Sequence, residues 1–88
     1  MTVSFDLNLD HTYAEHLRQQ QPDALKAQEL ITELEDKIGA AVNLVHERHG
    51  VLPAVGDRVE VDSEWVVITA RTFGQDGSVW LSAGRFAL

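Results

Sequence analysis

A chain of 88 residues, 44% of them hydrophobic, is long enough for one small domain, and its net charge of −7 keeps it soluble. It has no cysteine, which excludes a disulfide framework and thiolate chemistry, and no apolar run of about 18 residues, which excludes a membrane-spanning helix. Nor is there a stripe of Lys and Arg, which argues against direct nucleic-acid binding, because phosphate contacts need clustered bases.

The chain opens on an alternation. Val3, Phe5, Leu7 and Leu9 are separated by Ser4, Asp6 and Asn8, the period-two pattern of a half-buried strand. An extended arm lying on a partner would read the same way. Thr12 and Glu15 have the spacing of a capping box, so a short helix is expected to about Gln20, with Tyr13 and Leu17 on one face. Pro22 then starts a second helix at its first position, which puts Asp23 in the first turn, where the helix dipole favours an anion.

From Pro22 to His49 the pattern is helical. Ala27, Leu30, Ile31, Leu34, Ile38, Ala41, Val42 and Val45 form an amphipathic stripe, and Glu33 with Lys37 makes an i,i+4 pair on the other face. Gly50 is the expected stop, with Pro53 shortly after. Such a helix is about 42 Å long, against about 30 Å for a compact domain of this size. Its stripe needs more cover than a small sheet provides. Either the short helix folds back onto it or a second copy does, which makes the 22–49 helix a candidate homo-oligomer face. Gly39, beside Ala40 and Ala41, weakens the helix by about 1 kcal/mol and lets another element approach closely.

After Pro53 the period changes to two. Arg58–Asp62 reads as a strand with Val59 and Val61 inward, followed by a turn at Asp62-Ser63-Glu64. The next strand, Trp65–Phe73, is apolar on both faces: Trp65, Val67 and Phe73 on one, Val66, Ile68 and Ala70 on the other. That places it at the centre of the sheet or in a rolled sheet closed on itself. Residues 74–78 are a Gly-rich hairpin loop, Val79–Ser82 is the last strand, and 83–88 is either a fifth strand or a tail that docks on a partner. The expected fold class is α+β, one domain over 1–88. A strand and helices, one of them long and amphipathic, occupy 1–50. A three-stranded antiparallel meander, with a small barrel as its closed form, follows over 55–82.

Little in this pattern points to chemistry. His46 and His49 lie three apart at a helix end, close enough to share a metal, but zinc takes four ligands, or three plus water. With Arg48 they also complement the negative end of the helix dipole, which requires no metal. Ser63, Ser78 and Ser82 sit in or beside turns without a nucleophile motif, and "GQDGS" lacks the lysine and following helix of a phosphate loop. Asp57 reads as a turn residue. No catalytic, cofactor or metal site is assigned, and the chain reads as a non-enzyme. Trp65, Phe73 and Trp80 are assigned to the core; any of them found exposed would be an interface anchor.

Gly56-Asp57 opening a strand, Trp65-Val66 in the next, the Asp76-Gly77-Ser78 turn, and Val79-Trp80-Leu81 followed by Gly84-Arg85 together resemble the head–tail joining proteins of tailed bacteriophages. The resemblance covers about 35 residues; a leading strand and a long helix stand where the family has a short helical lead. It implies a small β-barrel and a non-enzymatic structural part that docks in a ring on the portal complex, with loops and tails making the contacts. By position, the implied contact residues are Gly74, Gln75 and Asp76 in the loop, and Arg85, Phe86 and Leu88 in the tail.

The expected function is thus a protein–protein interaction or assembly module with a protein partner and no cofactor, of the phage joining type. The alternative is a small acidic inhibitor, an anti-defence protein or nucleic-acid mimic, acting on a nuclease or nucleic-acid-binding complex. The N-terminus lacks the basic start and apolar core of a secretory signal, so the expected location is the cytoplasm of the producing or host cell, or a virion.

Overall fold

A computed structural model describes residues 4–86. Six elements follow one another: β1 (Asp6–Leu9), α1 (His11–Gln20), α2 (Ala24–His49), β2 (Arg58–Val61), β3 (Glu64–Phe73) and β4 (Val79–Arg85). The strands form one open sheet in the order β1-β4-β3-β2. The meander β2-β3-β4 is antiparallel, as its turns require, while β1 returns to lie parallel to β4, with Leu7 beside Leu81 and Leu9 beside Ala83. The sheet does not close into a barrel. Two edge strands, β1 and β2, remain, so the barrel implied by the phage resemblance is absent.

Local chemistry sets the element ends. Asp10, not Thr12, caps α1: its Oδ1 accepts from the Tyr13 N–H at 2.8 Å. The Asp10 N–H still donates to the Ala83 carbonyl at 2.8 Å, so strand pairing runs straight into the cap and leaves no room for a later start. Glu15 turns instead to Arg18, at 2.8 Å. Asp23 caps α2, accepting from the Leu25 and Lys26 N–H groups, and Pro22 stands just outside the helix rather than at its first position. Gly50 ends α2 with φ +75°, a left-handed value that costs glycine little. Lys37 reaches Glu33 at 3.4 Å and also Asp62 at 3.0 Å, tying the helix to the β2–β3 turn.

That turn is a two-residue hairpin with φ +51° at Asp62 and +66° at Ser63, the primed geometry that matches strand twist. An L side chain at Ser63 is strained there, so Ser63→Gly is expected to stabilise the fold by about 1 kcal/mol, read as a higher urea midpoint. A lower midpoint would show that the turn has another geometry.

Both helices pack on one face of the sheet. α2 lies against β1 and β2, and α1 folds back onto α2 and β4, supplying the extra cover that the long stripe needs. Ile38 and Val42 from α2 meet Ile68 and Leu81 from the sheet, and these four are the most deeply buried large side chains. Leu30, expected in this core, is 44% exposed, because it lies on the flank that α1 only partly shields. Glu35 makes one further tie: its Oε2 accepts the Leu9 N–H at 3.0 Å, holding β1 to α2. Glu35→Ala is expected to cost about 1–2 kcal/mol and to speed amide exchange at Leu9. Unchanged exchange would mean that this tie does not hold the strand.

Candidate functional site

Among the described residues no layer lies above the opposite face of the sheet. The domain measures 41 × 29 × 18 Å, and its thinnest dimension accommodates one helix layer and one sheet. Strand alternation decides what that open face carries. Val59 and Val61 on β2 and Val79, Leu81 and Ala83 on β4 point to the helices, so their neighbours Arg58, Glu60, Trp80 and Ser82 point away. On β3, Trp65 pairs with Glu60 and Val67 with Gly84, so both join the open face. Trp65 is 48% exposed and Trp80 42%, against the expectation that both are core. The helices cover only one side, and both tryptophans stand on the other.

An irregularity in β3 rearranges the rest. The pairing with β4 slips between Ile68 and Ala70, leaving Thr69 as an extra residue. Beyond it the alternation inverts. Ala70, expected beside Val66 and Ile68, pairs with Ser82 on the open face, and Phe73 pairs with Val79 on the helix side. Phe73 is nonetheless exposed at the strand end, with the Arg71 guanidinium 5.2 Å from its ring.

Trp65 and Trp80 mark opposite ends of the open face. At one end Arg58 lies 5.9 Å from the Trp65 ring centroid and 5.2 Å from that of Phe86, a cation–π clip that orders both rings. At the other end Trp80 pairs with Thr72 and Asp6 and stands beside the 74–78 loop. That loop is internally braced: the Gly74 N–H donates to the Ser78 carbonyl at 2.7 Å, and Asp76 Oδ1 accepts from the Ser78 hydroxyl at 2.6 Å and its N–H at 3.1 Å. These bonds favour the carboxylate and hold the Asp76 pKa below its ordinary value. Between the ends lie Val67, Ala70, Ser82 and Asn8. The charged members of this face, Asp6, Arg58 and Glu60, lie on the edge strands, and an uncharged centre with aromatic anchors inside a charged rim has the composition of a protein-contact face.

Family models, curated proteins and solved structures yield no match to the chain.

The sequence-derived contact residues divide on this geometry. Gly74, Gln75 and Asp76 sit at the Trp80 end, and Phe86 stands under Arg58 at the Trp65 end. Arg85 is the last residue of β4 and pairs with Val66, so it belongs to the helix-side register. Leu88 lies outside the described residues. The anchors that sequence reasoning set aside, Trp65 and Trp80, are the prominent ones. Their signal was present: each alternates with residues that a single helical layer must cover, and the chain has helices enough for one layer only.

Other chemistry-bearing groups are dispersed. His46 and His49 lie in the last turn of α2 with Arg48, and no set of three or more metal-ligating residues occurs among the described residues. The Asp57 carboxylate accepts the Ala54 N–H at 2.8 Å and closes the turn before β2. A cavity of about 350 Å³ beside the slip in β3 brings Tyr13, His16, Thr69 and Arg85 together. Burial, aided by Glu64, raises the Tyr13 pKa, and Arg85 partly opposes the shift, so its hydroxyl remains a proton donor at neutral pH. No helix among the described residues is long and apolar enough to cross a membrane.

Proposed function

We propose that the chain is a non-enzymatic protein-interaction module that docks by the open face of its sheet. The observation that supports this reading is the pair Trp65 and Trp80, each nearly half exposed on a sheet face that no other element among the described residues covers. Tryptophan on a soluble domain's surface exposes apolar area to water and becomes favourable when a partner excludes that water. The braced 74–78 loop and the Arg58 clip at the two ends add pre-organised contacts, which lowers the ordering cost of docking. The finer reading, a joining-type part of a phage virion, rests on the turn and strand order of residues 56–85.

The test is affinity capture with the tagged chain from a lysate of its source or of an infected host, read by mass spectrometry. It is run beside the Trp65→Ala/Trp80→Ala variant. Virion proteins captured by the parent chain and lost by the variant support the joining role. Capture that survives the variant but disappears when Glu29, Glu33, Glu35 and Asp36 are neutralised replaces it with the acidic-inhibitor reading.

A further inference from the structure

A second surface lies on the other side of β1 from β4. β1 is an edge strand, and its bonding directions can be assigned residue by residue. The Asp10 N–H donates to Ala83, toward β4, whereas the Leu9 N–H donates to Glu35, away from it. Alternation then points the Leu7 N–H and carbonyl to the free edge, on the same side as Leu9. Among the described residues no strand occupies that side. Along it runs a groove of about 660 Å³, floored by residues 4–7 and walled by α2 at Glu35, Asp36, Gly39 and Ala40. That volume lies within the range of ligand clefts.

Two features of the groove suit an extended occupant. The first is its low wall. Glycine weakens a helix interior, yet a Cβ at Gly39 would meet nothing within 4 Å, so internal packing does not demand glycine there. Its effect is to leave room beside the strand edge. The second is charge. Asp6, Glu35 and Asp36 line the groove, and no Lys or Arg among the described residues does. Glu35, bonded to Leu9, also closes one end, so an added strand pairs alongside residues 4–7 and no further.

We propose that this groove is a strand-addition site for an extended peptide in which apolar residues alternate with Lys or Arg. The backbone of the peptide pairs with the free edge at Leu7. Its apolar side chains lie over Gly39 and Ala40 on the helix side, and its basic ones, which alternate to the opposite face, meet Asp6. Main-chain pairing supplies affinity and the acidic rim supplies selection. This site adjoins the tryptophan face at Asp6, which pairs with Trp80, but it is built on the β1 edge and α2 and does not depend on either tryptophan.

The test is to pan a random seven-residue peptide display library on the full chain and to measure a labelled, enriched peptide by fluorescence anisotropy. Enriched sequences are expected to alternate apolar and basic residues. Gly39→Leu is expected to weaken binding at least tenfold while its melting temperature stays at or above that of the parent, because leucine is the better helix former. Asp6→Lys is expected to weaken binding and flatten its salt dependence, and the Leu7 amide is expected to exchange more slowly in the complex. The proposal is overturned by a library that yields no enrichment, by enrichment without basic residues, or by binding that survives Gly39→Leu. Concentration-dependent dimers abolished by Gly39→Leu would also overturn it, since the groove would then hold a second copy.

Discussion

Ile38→Ala is expected to lower the free energy of unfolding by about 2–5 kcal/mol, the range for truncating a fully buried aliphatic side chain. Ile38 has no exposed surface and sits midway along α2. A domain of this length has a total stability of roughly 4–13 kcal/mol, so the substitution removes a large share of it. At about 4–8 °C per kcal/mol, the melting temperature falls by at least about 8 °C. Two other positions on the same helix calibrate the result. Leu34, on the stripe but only half-buried, is expected to cost less on the same truncation, and Leu25, 72% exposed, to change stability by no more than about 0.5 kcal/mol. Urea denaturation of the three variants gives the order. If Ile38→Ala and Leu25→Ala behave alike, α2 does not pack on the sheet as described.

That graded series reflects what periodicity can and cannot specify. The step of three and four residues identified Ala27, Ile31, Ile38 and Val42 as a buried stripe, and the alternation of β2 identified Val59 and Val61. The stop at Gly50 and the Asp62-Ser63 turn were legible, but both N-caps were displaced: Thr12 was read where Asp10 caps α1, and Pro22 was placed inside α2 where Asp23 is the cap. What was not legible depends on distant parts of the chain. The parallel pairing of β1 with β4 joins residues more than seventy positions apart, and no local pattern encodes it. The extra residue at Thr69 inverts the facing of everything after it, so Ala70 and Phe73 were placed on the wrong faces. The tryptophans were read by residue type, as core. Their exposure follows from the number of layers, which is a property of the whole fold and the reason the open face was missed.

Trp65→Ala and Trp80→Ala are each expected to weaken partner binding by about 2 kcal/mol or more, roughly thirtyfold, as truncation of an interface tryptophan does. The decisive contrast is with stability. A core tryptophan replaced by alanine costs about 3–5 kcal/mol of folding free energy. Here both side chains stand on a face without a covering layer, so each change is expected to cost about 1 kcal/mol or less. The two are not equivalent. Trp65 carries the Arg58 stack, worth about 0.5–1 kcal/mol at an exposed site, so its loss should destabilise more than the loss of Trp80, over which no cation stacks among the described residues. Paired measurements of unfolding and of partner affinity separate the outcomes. Loss of binding with the fold intact assigns the open face to the interface. A folding cost of 3 kcal/mol or more places the tryptophans in a core after all, and unchanged affinity with an intact fold removes this face from the interface.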